Sequence, residues 1–521
     1  MSLVTRLDSY LSKQERLVKP AKFSPARASG VAEERERGHP SAGGKVRTEI
    51  YELVHRAGKT FERRRTAWVN PAVAEKLEHR KKAADWIRSL GNYIPMYFVG
   101  GFVRDKMFGK VAKDIDCVTT ATLDDVKKIF DELNIEYYSA SRKEETLTFK
   151  VGTMEIDITA ADAEDLVADL ARRDFTINSI AQNVTGSFYD PFNGLADAKA
   201  KILRSPRSNS KKAFKDDPIR ILRAARFIGD YDLTPHSSVL RAIPMTKDGL
   251  SDTASERIGA ELKSMMGIAK PWVALEFLKE HELLGYVAPA LEKMVGFEQN
   301  HLAHDKDVWD HTMAALKAAK SNDLVLNLAI LFHDIGKPET ADAEKVHFLG
   351  HEDEGAKMTE DILTKLHFSS DIVKRVHNLV ENHMFIPNSG TTAKAPAFRR
   401  LKLRMEEDMD NLLALARADA MGSKKKDTSH VDVVEKKLEG IKDIPTKTKS
   451  LSPLDGDELM EMLEIKPGPK VGEILNHLHE EVIEGNLSPG DKEAAEKAAR
   501  QYTQGLMKEV DTMLDILELH E

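Results

Sequence analysis

The chain has 521 residues, too many for one hydrophobic core, so two to four domains are expected. Charged residues make up 31 % and aromatics 6 %, which suits a largely helical protein, and no run of about 18 uncharged apolar residues offers a membrane span. The net charge of −8 is unevenly placed, with +9 on residues 1–90 and −17 on the rest, so a local basic surface for nucleic acid is not excluded. Cys117 is the only cysteine, which rules out an internal disulfide. With no apolar signal core in the first twenty residues, a cytoplasmic protein is expected.

Residues 20–48 are rich in Pro, Gly, Ser and charge and are expected to be flexible. The stretch FERRRTAWVNPAVAEKLEHRKKAADWIRSL, residues 61–90, follows as a basic helix, either solvated or touching an RNA backbone. Between 96 and 160 lie short β-like runs, MYFVG, IDCVTT, TLTFKVG and MEIDITA, with a helix near 122–133. TGSFYDPFNGLADAKAKIL, residues 185–203, adds a short strand and a turn, and from about 212 helix-length amphipathic patterns dominate. The fold class is therefore α+β, a small mixed-sheet domain ahead of a long all-helical body.

In a strand, residues i and i+2 share a face, so Asp114 and Asp116 project together while Ile115 faces the core. Two adjacent carboxylates repel unless a cation lies between them, and Mg2+ is the natural one because it takes oxygen ligands and bridges phosphates. Asp157 in MEIDITA is a candidate third carboxylate. Gly100-Gly101 ahead of a helix would let backbone N–H groups approach a triphosphate, with Arg104 and Asp105 on the first turn. ARRDFTINSI supplies Arg172, Asp174 and Asn178. KDDPIRILRAARF puts Asp217 and Arg220 three apart, hence on one helix face, as a surface ion pair or as a carboxylate and guanidinium that read a base edge.

GGFVRD with DID, RRDFTIN, YDPFNGLADAKAKILR, DDPIRILRAARF and SERIGAELK occur in one order that resembles the class II tRNA nucleotidyltransferase and poly(A) polymerase family. The resemblance implies that Asp114 and Asp116 bind the catalytic Mg2+, with Asp157 as the candidate third catalytic carboxylate. It implies that Arg172 and Asp174 contact the nucleotide's phosphates and ribose and that Asp217 and Arg220 pair with the base of CTP or ATP; Gly100, Gly101, Arg104, Asn178, Arg223 and Arg226 complete the candidate nucleotide site. Asp216 departs from the family's usual Glu at the start of that template motif.

The helical half carries His311, His333, Asp334, His351, His383 and Asp419. Imidazoles and carboxylates drawn from successive helices suit a divalent transition metal, Mn, Ni, Co or Fe. The set resembles the HD phosphohydrolase superfamily, which implies a second active site, with Lys337 either stabilising phosphate or capping a helix. The order of the two halves, continued by SPLDGDELMEMLEIKPGPKVGEIL, resembles bacterial CCA-adding enzymes with an HD domain.

The expected domains are a basic extension (1–90), a nucleotidyltransferase domain (91–205), a template and RNA-binding domain (206–298), an HD domain (299–425) and a C-terminal tRNA-binding region (426–521). The expected function is addition of CMP and AMP to tRNA 3′ ends from CTP and ATP, with hydrolysis of RNA 3′ or cyclic phosphates. The alternatives are a poly(A) polymerase, or chiefly a phosphohydrolase whose transferase-like half holds RNA.

Overall fold

The computed structural model describes residues 46–518 except 57–58, 70, 113, 140–145, 153, 162–164, 207–208, 300–305, 343, 345–346 and 442–451. Residues 20–45 of the stretch expected to be flexible thus lie outside the described residues. The described residues fall into two compact units. The first runs to Arg220 and includes Tyr231–Lys247; the second holds Ile221–Asp230 and everything from Asp248 onward.

In the first unit, β1 (Val46–Arg56) and β2 (Lys59–Val69) form an antiparallel hairpin, with Val46 opposite Val69. The basic stretch expected to be one helix is therefore divided, since 61–69 is strand and only Pro71–Leu90 is helical. Thr66, Trp68 and Val69 suit a paired strand better than a helix. Pro71 then sets the helix start, where its missing N–H costs nothing.

The main sheet has seven strands. They are β3 (Met96–Phe98), β4 (Ile115–Thr119), β5 (Tyr137–Ser139), β6 (Thr146–Val151), β7 (Met154–Ala160), β8 (Ala181–Asn183) and β9 (Phe188–Tyr189). Their order is β5-β6-β7-β4-β3-β8-β9, and β4/β7 is the parallel pair in an otherwise antiparallel sheet. The short β5 and β8 were not among the expected runs. Trp86, on the helix Pro71–Leu90, packs 4.8 Å from Phe149, and Phe130 lies 5.1 Å from the same ring. Phe130 comes from the helix Leu123–Glu132, whose N-terminus is fixed by Thr122 accepting from the Asp125 amide.

The motif YDPFNGLAD has a mechanical explanation. The Asp190 carboxylate accepts from the Gly194 and Leu195 amides at 2.7 and 2.9 Å and so starts the helix Gly194–Ala200. A Cβ on Gly194 would lie 2.1 Å from the Thr176 carbonyl oxygen, so no other residue fits.

The second unit is helical. Leu324–Phe332 is buried over most of its length and leads directly into His333-Asp334. Val308–Ala319, His351–Lys365, Ser370–Asn382 and Met409–Gly422 carry or adjoin the other expected ligands. A separate core near the C-terminus joins Leu459, Ile474, Leu478, Ala495 and Ala499. Asp455 and Glu458 form a capping box that starts its first helix. Among the described residues, no helix is long and apolar enough to cross a membrane.

Replacing Gly194 by alanine forces the chain away from Thr176. We expect a loss of about 2 kcal/mol or more, read as a lower urea midpoint.

Candidate functional site

The parallel register sets Asp116 directly beside Asp157, and Asp114 immediately precedes β4. Ile115 and Ile156 are fully buried, so the aspartates occupy the opposite, half-open face. Thr148 on β6 donates to Asp157 at 2.6 Å and fixes one of its oxygens. Burial raises the Asp116 pKa, as do Asp114 and Asp157, while Arg173 and the Gly101 amide pull it down. Three mutually repelling carboxylates at a partly open strand end fit an oxygen-seeking cation.

Gly100 and Gly101 do not precede the helix Gly100–Met107 but begin it, so Arg104 and Asp105 fall one turn further in than expected. Gly100 has φ +61°, and a Cβ there would lie 3.0 Å from both Asp116 Oδ2 and Arg173 Nη1. The Arg104 guanidinium is held by protein groups. Its Nε donates to Asp105 Oδ1 at 2.9 Å and to the Tyr231 hydroxyl at 2.8 Å, and its Nη1 donates to Asn178 Oδ1 at 3.0 Å. Asn178 in turn donates to Asp174 at 2.7 Å, and the Tyr231 hydroxyl donates to Asp105 at 2.6 Å. Tyr231 was missed in the sequence because nothing local links it to a partner 126 residues away.

Asp217 and Arg220 do not share a helix face. One helix ends at Asp216, Asp217 is extended, and the next begins at Ile219, because Pro218 disfavours helical backbone in the residue before it. The pair is nonetheless adjacent, with Arg220 Nε 3.9 Å from Asp217 Oδ2. Arg220 Nη2 also donates to the Arg172 carbonyl at 2.7 Å, tying the template motif to the Arg-Arg-Asp motif. Asp216, standing where the family has Glu, pairs with Lys212 at 2.8 Å on the surface. Arg223 and Arg226 both pair with Glu261, at 3.3 and 2.7 Å, within the second unit.

All six expected metal ligands of the helical half come together. His311 donates to Asp419 at 2.8 Å, and His333 Nε2 lies 3.2 Å from Asp334. His351 and His383 lie 3.6 and 3.9 Å from the other Asp334 oxygen. His333, His351 and His383 each donate Nδ1–H to the carbonyl three residues back, those of Ile330, Phe348 and Val380. Their Nε2 lone pairs are thereby aimed inward. His351 and His383 oppose these lone pairs at 3.3 Å, a repulsion that a cation or a shared proton relieves. Burial, with His333 and His351 nearby, pushes His383 down to about 3. Burial alone would raise Asp334, but His333 and Lys337 outweigh it and hold it well below the carboxylate range. Lys337 bonds Asp334 at 2.8 Å and Gln299 at 2.7 Å, so it supports a ligand as well as opening a helix. Gly336 permits this packing, because a Cβ there would lie 2.3 Å from the His351 carbonyl oxygen.

Residues 96–204 match the poly A polymerase head domain, and residues 346–499 match tRNA nucleotidyltransferase domain 2. The "Multifunctional CCA protein" of Nitrosococcus oceani is 31 % identical over 355 residues, which span 63 % of this chain and 84 % of that protein. The chain belongs to the class II tRNA nucleotidyltransferase and poly(A) polymerase family. Within this family the "A-adding tRNA nucleotidyltransferase" of Deinococcus radiodurans is 32 % identical, over 61 % of this chain and 75 % of its own. The fold resembles the CCA-adding enzyme of Bacillus stearothermophilus solved with CTP (TM-score 0.60, 20 % identity, 83 % of this chain and 99 % of that one).

Tyr231→Phe keeps the ring, which lies 4.7 Å from Phe108, but removes the hydroxyl shared by Arg104 and Asp105. A loss of about 1–3 kcal/mol is expected in urea unfolding. A second prediction concerns pH. His383 is neutral in the fold down to about 3, whereas in the unfolded chain it protonates below about 6.5. Unfolding then takes up a proton, so in chelator this residue makes the protein less stable as pH falls from 6.5 towards 3. His383→Asn should flatten that part of the urea-midpoint profile.

Proposed function

We propose that this family member adds CMP and AMP to tRNA 3′ ends from CTP and ATP. The observation that carries the reading is the register of β4 and β7, which sets Asp116 beside Asp157 with Asp114 next to them. Relatives named for CCA or A addition support tRNA as the acceptor. Asp114, Asp116 and Asp157 would hold Mg2+, which when bound supplies charge neutralisation for the triphosphate and the attacking hydroxyl.

The RNA 3′-hydroxyl oxygen bonds to the α-phosphorus, the bond to the β-phosphate oxygen breaks, pyrophosphate leaves, and the hydroxyl proton passes to water. The Gly100 backbone keeps the space beside Asp116 free of a side chain. Arg172, Asp174 and Asn178 orient phosphates and ribose, with Arg104 bracing Asn178. Asp217 and Arg220 present an acceptor and a donor fork to the base, worth about 1–3 kcal/mol of discrimination per good pair. Arg223 and Arg226 are better read as partners of Glu261 than as nucleotide contacts.

The helical half is proposed to be an HD-type phosphohydrolase that clears 2′,3′-cyclic or terminal phosphate from RNA 3′ ends. His311, His333, Asp334, His351, His383 and Asp419 would hold divalent metal (Mn, Ni, Co or Fe), which supplies Lewis acidity toward phosphate and water. In opening a cyclic phosphate, a water oxygen bonds to phosphorus, the P–O3′ bond breaks, and a proton goes to O3′. Extension then has its 3′-hydroxyl.

The test uses tRNA ending at the position before CCA, and after one or two cytidines, with CTP and ATP supplied separately. We expect CMP on the first two ends and AMP on the third. Long AMP runs without prior CMP would instead indicate a poly(A) polymerase, and AMP on the third end with no CMP on the first two an A-adding enzyme. Alanine at both Asp114 and Asp116 should lower incorporation at least about a hundred-fold. His383→Ala should remove cyclic-phosphate hydrolysis while CMP incorporation continues, which would separate the two activities.

A further inference from the structure

A cavity of about 500 Å³ opens over the histidine–aspartate cluster. A site for a bare phosphate needs charge and little else. This cavity is lined by Asp334, His351 and His383, but also by Phe348, Leu349, Met384 and Pro387. Its volume falls within the roughly 300–1,000 Å³ range of sites for whole small molecules.

Leu349 is 87 % exposed, more than any other large apolar residue among those described. Its neighbours hold it there. The Phe348 carbonyl accepts the His351 Nδ1–H at 2.8 Å, and the Phe348 ring centroid lies 5.5 Å from Lys337 Nζ. On the other side Gly350, at φ +75°, turns the chain into the helix that begins with His351. The chain thus fixes an uncovered leucine one residue from a backbone group that aims a metal-ligand histidine. Met384 directly follows His383 and lines the same cavity. Lys425 adds an ammonium group to the lining, which also holds Glu352, Asp427 and the His430 imidazole.

We propose that this apolar lip is a nucleoside subsite, so that the phosphate hydrolysed is one carried by the terminal nucleoside of an RNA 3′ end. The base lies against the apolar side chains of Leu349 and Met384, which offer no hydrogen-bond donor or strong acceptor to select one base over another, and Lys425 faces the preceding backbone phosphate. The subsite rests on the hydrolase reading above and adds to it the residues that hold the terminal nucleoside. The bonds made and broken are those of the cyclic-phosphate opening already described.

The test compares adenosine 2′,3′-cyclic phosphate with methyl riboside 2′,3′-cyclic phosphate, which has the same reacting group and no base, using the full chain loaded with Mn2+. Wild type should prefer the nucleoside by about ten-fold or more in kcat/KM, mostly through KM. Leu349→Ser with Met384→Ala should lower that preference at least about five-fold, whereas Val433→Ser, another exposed apolar position outside the lining, should keep it. Calorimetric binding of adenosine 3′-phosphate against ribose 3-phosphate gives a second readout. There the difference between wild type and the double variant cancels any binding at the transferase carboxylates.

No preference in wild type, or a preference that survives the double variant, overturns the subsite and leaves the hydrolase reading standing. If neither cyclic phosphate is hydrolysed but the binding preference is present and lost in the double variant, the hydrolase reading fails and the nucleoside subsite stands. Absence of both hydrolysis and binding preference overturns both.

Discussion

Each candidate site in this chain sets together groups that repel one another. In the first unit three carboxylates gather where two parallel strands run side by side, and Asp116 titrates high as a result of burial and its acidic neighbours. In the second, the lone pairs of His351 and His383 face each other at 3.3 Å. Such arrangements cost free energy in the apo protein, and the surrounding fold must enforce them. Much of the architecture described above is that enforcement. Strand register fixes the carboxylates, while helix carbonyls and the Gly336 contact fix the imidazoles.

The two sites solve the problem differently. The open face of the sheet at β4 and β7 leaves the carboxylates half open, as a substrate that brought its own phosphates and metal would require. The helical cluster is buried, with His311, His333, Asp334 and His383 at most 3 % exposed, which suits a resident ion that stays between turnovers. The family relationship covers the first site through the head-domain match, and the second overlaps a match that begins at residue 346, after His311 and His333. The hydrolase assignment therefore rests more heavily on geometry.

The mixed sheet and helical body were legible in the sequence because MEIDITA and IDCVTT alternate in two-residue steps and the later segments repeat at helical spacing. The order of motifs identified the carboxylates and histidines that the fold then gathers. What was not legible depended on backbone events that composition hides. Pro218 breaks the helix between Asp217 and the start of the next, so a correct pairing had been expected for the wrong reason. Residues 61–69 carry enough arginine to look helical, yet pair as a strand with 46–54, a partner that no local pattern names. Tyr231 closes a hydrogen-bond ring with Arg104 and Asp105 across more than a hundred residues, where only the three-dimensional fold supplies proximity.

The three bonds from histidine Nδ1 to the carbonyls of Ile330, Phe348 and Val380 have one more consequence. Each ligand is aimed from within its own stretch of chain, so the arrangement exists before any ion arrives. Capture of an ion would then need little refolding. Imidazole and carboxylate donors accept several first-row metals, so the identity of any ion held there would follow cellular supply as much as the shape of the protein.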